Sequence, residues 1–122
     1  MGITEEQARL LQRAQNLSQQ IKLLEERKQL LERRKLEIKE ALEELNKAKS
    51  KGEKEAYRFL GSSIMVKKDI DEIVSDLEEE VVLIDTQVEQ LKKQIEVGKK
   101  ELDTILKSLG FQQTGGVSSS GG

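Results

Sequence analysis

Apolar residues recur along the first part of this chain at alternating steps of four and three. From Leu10 they fall at Ala14, Leu17, Ile21, Leu24, Leu31, Ile38, Leu42 and Leu45, with Lys28 and Lys35 taking two places in the same register. A heptad stripe of this kind predicts one long helix with an apolar seam. Its start is marked by Thr4 with Gln7 three residues on, a capping-box spacing, and its end by Lys47, Lys49 and Lys51 ahead of Gly52. The helix is therefore expected from about residue 5 to about residue 50.

A second stripe repeats the pattern at Ile70, Val74, Leu77, Val81, Ile84, Val88, Leu91, Ile95, Gly98, Leu102, Ile105 and Leu109, with Asp69 and Glu72 at its front and Gly110 at its end. Each arm would be about 60 to 70 Å long at 1.5 Å per residue. A lone helix with an exposed stripe gains its stability when the stripe packs, so the two arms are expected to form an antiparallel coiled-coil hairpin. Two registers set Gly98 opposite either Ala14 or Ile21. Ile21 is preferred, because glycine against alanine leaves a void. Leu17 then faces Leu102, and Leu10 faces Leu109. The stems of Lys28 and Lys35 are expected to pack in the seam while their ammonium groups reach out to nearby glutamates.

The periodicity changes between the arms. In EAYRFLGSSIMVKKD, Tyr57 and Phe59 alternate with Ala56, Arg58 and Leu60, while Ile64 and Val66 alternate with Met65 and Lys67. Gly61-Ser62-Ser63 is a reversal, so the segment predicts a small β-hairpin at about 55–68. A two-stranded hairpin is marginal in water because both edges are open and it has half a core. Two completions are open. The hairpin folds back over its own helices, or hairpins from several chains join edge to edge into a shared barrel that buries Tyr57, Phe59, Ile64 and Val66 together. The second accounts for the placement of the chain's one tyrosine and one of its two phenylalanines in this segment.

Composition narrows the remaining choices. With 36% charged and 2% aromatic residues in 122, and no proline, the material suits long helices and is too poor in bulky side chains for a thick globular core. A formal charge of −2 lacks the strongly basic field by which nucleic-acid binders release counterions, so no nucleic-acid partner is expected. The longest aliphatic run, Val81-Val82-Leu83-Ile84, is far short of the roughly 20 residues that span a bilayer, and MGITEEQAR does not read as an export signal. A cytoplasmic protein without a membrane partner is expected. Without histidine or cysteine, the usual general base, thiol nucleophile and soft metal ligands are missing. The runs Glu43-Glu44 and Glu78-Glu79-Glu80 point in different directions on a helix and read as solvated faces, so neither enzyme activity nor a cofactor is expected. From residue 111 to 122 the composition becomes that of a flexible Gly/Ser-rich tail, following a domain over 1–110.

Long helix, AYRFLGSSIMVKKD, long helix: this order resembles the β-type subunit of prefoldin over nearly the whole chain up to about Leu109, with Tyr57, Gly61, Val66 and Asp69 carrying most of its specificity. The resemblance implies a mainly α fold whose hairpins, through Tyr57, Phe59, Leu60, Gly61, Ile64 and Val66, assemble into an intersubunit β-barrel. It implies a hetero-hexamer with α-type subunits and further β copies, acting without ATP to hold unfolded client proteins between the coiled-coil tips and to deliver them to a group II chaperonin. The apolar surplus at the arm ends fits this: Ile3, Leu10, Leu11, Leu102, Ile105, Leu106, Leu109 and Phe111 would offer sticky surface where the ends fray. The alternative is a structural or tethering coiled coil without chaperone activity, for which a short turn would serve in place of the hairpin.

Overall fold

Thr4 and Gln7 cap the first helix reciprocally. The Gln7 backbone N–H donates to Thr4 Oγ1 at 3.0 Å, and the Thr4 N–H donates to Gln7 Oε1 at 3.0 Å. In this computed structural model, which describes residues 2–61 and 63–111, the helix that follows, α1, runs without a break over Glu5–Ser50. It ends in a Schellman turn. The Glu53 N–H donates to the Ala48 carbonyl at 3.1 Å and the Gly52 N–H to the Lys49 carbonyl at 3.0 Å, with Gly52 at φ 92°, a backbone state that L side chains rarely adopt.

Strand β1 covers Glu55–Leu60 and β2 covers Ile64–Asp69, paired antiparallel as a two-stranded sheet. Gly61 turns the chain between them at φ 74°. The Ile70 N–H donates to the Lys54 carbonyl at 2.8 Å, which closes the base of the hairpin as helix α2 begins. α2 spans Ile70–Ser108, and its first turn is capped by Asp69 Oδ1, which accepts the Asp71 N–H at 3.0 Å. Its end repeats the Schellman geometry: Phe111 donates to the Leu106 carbonyl and Gly110, at φ 87°, to that of Lys107, both at 3.0 Å. Phe111 thus belongs to the helix cap. The rest of the expected tail, 112–122, lies outside the described residues, as does Ser62.

The chain divides into two units, Gln29–Glu89 with the hairpin, and a terminal unit formed by the chain up to Lys28 and from Gln90. In the hairpin unit the core is Ile38, Ile73, Leu77, Ile84 and Val88, with Leu31, Leu42, Leu45, Val81 and Ala56 packed against it. Lys35 keeps its stem in the seam and sends Nζ to Asp85 at 2.6 Å, an aspartate where a glutamate was expected. In the terminal unit, Ala14, Leu17 and Ile105 form a second cluster joined by Leu10, Leu102, Leu106 and Leu109. The register here is the preferred one, with Gly98 opposite Ile21. A Cβ built on Gly98 would meet Ile21 Cγ1 at 3.1 Å, so the bulk of the isoleucine fills the space that the glycine leaves. Every seam position of both stripes is buried or half-buried.

Candidate functional site

Strand pairing decides which hairpin side chains share a face. Tyr57 stands opposite Lys67, Phe59 opposite Met65, Arg58 opposite Val66 and Leu60 opposite Ile64. Directly paired residues project to the same side of a sheet. One face therefore carries Tyr57, Phe59 and Met65 together with the Glu55–Lys67 ion pair, and the other carries Ala56, Arg58, Leu60, Ile64, Val66 and Lys68. Tyr57 and Phe59 thus lie on the opposite face of the hairpin from Ile64 and Val66, so a shared barrel would hold the two sets on different sides of its wall. Alternation fixes the two faces of each strand, but the turn between Leu60 and Ile64 fixes which faces meet, and a one-residue difference there would exchange them.

The two faces have different surroundings. Ala56 packs on the hairpin-unit core, Arg58 reaches Asp76 of α2 at 3.6 Å, and Lys68 lies 3.8 Å from Glu72 and 3.9 Å from Asp76. Only the base of this face lies against the chain's own helices, since Leu60 and Ile64 near the turn are 50% and 59% exposed. The other face stays open, with Tyr57 66% and Phe59 65% exposed. Met65 beside them is exposed too, and it was missed in the sequence because the alternation was read through Ile64 and Val66. Exposed Tyr57, Phe59 and Met65 clustered on a sheet with two open edges form an incomplete core.

The helix ends divide similarly. Ile3 and Phe111 are exposed, Leu10, Leu11, Leu102, Leu106 and Leu109 are half-buried, and Ile105 is buried at 7% within the terminal cluster. Ile105 is thus a seam residue, and it would reach another molecule only if the helices parted. Apolar side chains away from the seam were overlooked: Leu23, Leu30, Leu36, Val82, Leu83 and Val97 are all exposed. Their signal was present, since Leu23 and Val97 each stand two places beyond a seam isoleucine, Ile21 and Ile95, where a coiled coil ordinarily turns polar residues to solvent.

Ion pairs flank the seam within each unit. Arg34 grips Glu80 with two hydrogen bonds, Nε to Oε2 at 2.8 Å and Nη2 to Oε1 at 3.1 Å, and Arg13 Nη2 donates to Glu101 Oε2 at 2.7 Å. Hydrogen bonding from Arg34 holds the Glu80 carboxyl below its ordinary pKa and raises that of Arg34 in return, while the bond to Asp71 raises Lys49. A carboxylate depressed in the folded state stabilises the fold above its unfolded pKa and loses that contribution as pH falls through the folded value. Glu80→Gln should therefore lower stability at neutral pH by at most about 1 kcal/mol, given the exposure of the pair. The difference from wild type should fade in denaturation curves taken across the acidic carboxylate range.

Among the described residues, no group of three or more His, Cys, Asp or Glu side chains is arranged to hold a metal ion, and no helix is long and apolar enough to cross a membrane. The fold defines a class of protein: long helices packed antiparallel through a heptad seam, with a small β-hairpin inserted between them. The model of the prefoldin subunit family matches residues 8–114, and the chain belongs to that family. Its role is accordingly that of a prefoldin-type chaperone subunit, which assembles with other prefoldin subunits. The crystal structure of the prefoldin beta subunit from Thermococcus strain KS-1 has the same fold, with a TM-score of 0.75 at 21% identity, covering 88% of this chain and 92% of that one. No protein of the curated set matches the chain.

Proposed function

We propose that the chain is a β-type prefoldin subunit that holds unfolded proteins in the cytoplasm without ATP and passes them to a group II chaperonin. Its hairpin joins those of α-type subunits and further β copies, building the barrel of a hetero-hexamer. The observation that carries this reading is the open hairpin face of Tyr57, Phe59 and Met65 on a sheet with two unpaired edges, in a chain of the prefoldin family. Burying a phenylalanine contributes about 1.5–3 kcal/mol, so a ring of such faces gives assembly a substantial driving force.

Client holding falls to the helix ends, where Ile3 and Phe111 are exposed and the half-buried Leu10, Leu11, Leu102, Leu106 and Leu109 become available as terminal turns open. Native mass spectrometry of the chain alone and mixed with an α-type subunit tests the assembly. The expected result is a mixed complex larger than any formed by the chain alone. That complex should suppress aggregation of a denatured model protein without nucleotide, and its activity should fall steeply when residues 1–11 and everything after Ile105 are removed. A chain that stays monomeric in the mixture, or a truncated complex that holds clients as well as the full one, contradicts the reading.

A further inference from the structure

The terminal unit carries an open groove of about 660 Å³ on one flank of its helix pair. Its floor and walls are apolar, from Leu17, Leu24 and Gly98 along the seam to Leu23 and Val97 on the two sides, the last two each 65% exposed. Gln20 and Gln94 stand where coiled coils commonly place charges, so no ion pair closes this stretch of the flank. The opposite flank differs: there Lys99 Nζ approaches Glu25 Oε2 at 3.3 Å across the seam. Gly98, opposite Ile21 in the seam, has no side chain to fill the groove.

The charges at the rim are unbalanced. Arg13 and Glu101 neutralise each other at one end. Arg27 and Lys93 also line the groove, and neither makes an ion pair among the described residues. Two free cations beside exposed apolar side chains complement a partner that brings carboxylates together with apolar groups. From Arg13 to Arg27 the helix rises about 20 Å, room for about six extended residues or a few helical turns.

We propose that this groove docks an apolar polypeptide segment bearing carboxylates, and that the chaperone thereby favours acidic over basic stretches of a non-native chain. The inference rests on the client-holding reading above and assigns part of the grip to Leu23 and Val97, away from the helix ends. Carboxylates close to Arg27 and Lys93 steer the segment in, and Leu23 and Val97 cover its apolar side chains.

The assembled complex is titrated with three fluorescent peptides of equal length and apolar content that carry net negative, zero or positive charge. The acidic peptide should bind at least tenfold more tightly than the basic one, and the gap should narrow with added salt. Arg27→Glu with Lys93→Glu should reverse the order. Leu23→Gln with Val97→Gln should weaken the acidic and neutral peptides alike by tenfold or more. All four side chains are exposed, and circular dichroism and native mass confirm that the variants remain helical and assembled. Unchanged peptide order after charge reversal overturns the groove, even if the complex suppresses aggregation. A wild-type complex that binds the acidic peptide through the groove yet fails to suppress aggregation overturns the holdase reading and leaves the groove as a docking site.

Discussion

Replacing Tyr57 and Phe59 together by serine should leave the helical circular dichroism of the chain intact while its assemblies fall apart into smaller particles in sedimentation. Both side chains are about two-thirds exposed, so their loss removes little from the isolated subunit. Within an assembly, two buried rings per subunit contribute about 3–6 kcal/mol, and their removal weakens association by about a hundredfold to ten-thousandfold. Arg58→Ala is the informative contrast. Arg58 lies on the inward face near Asp76, so its loss should loosen the hairpin on its own helix without abolishing assembly. Particles of unchanged size after the double serine substitution would show that assembly does not run through the aromatic face.

How far the sequence revealed this depends on which interactions set each feature. The helix limits near Glu5, Ser50 and Ile70 were legible because they come from local chemistry: the Thr4–Gln7 box, the αL turn at Gly52 and the Asp69 cap are short-range interactions. The register was legible for a different reason, since Gly98 is the one seam position without a side chain and must meet a large residue. Strand faces were half legible. Period-two alternation separated Tyr57 and Phe59 from Arg58, but cross-strand parity depends on turn geometry, which the three residues at 61–63 do not specify alone. Surface features were the least legible. A heptad reading directs attention to the seam, whereas the groove arises from Leu23 and Val97 outside it, together with the absence of charge at Gln20 and Gln94. Ile105 shows the converse, an apolar residue near a helix end that the seam uses fully.

Ile38→Ala should be among the most destabilising single substitutions in the hairpin unit, lowering its unfolding free energy by about 2–5 kcal/mol. Ile38 is 1% exposed and belongs to a cluster with Ile73, Leu77, Ile84 and Val88. Truncation removes three carbons from a closed site and leaves a cavity that helices on either side cannot fill without shifting register, which the Lys35–Asp85 and Arg34–Glu80 pairs oppose. Leu36→Ala, two residues away, provides the comparison. Leu36 is 59% exposed, so its truncation should change stability by less than about 0.5 kcal/mol. Urea titrations followed by circular dichroism, at one protein concentration because assembly adds to apparent stability, give both values on one scale. Equal losses at the two positions would mean that Leu36 is also buried in solution, on another subunit, and the boundary of the assembly interface would then extend from the hairpin onto α1.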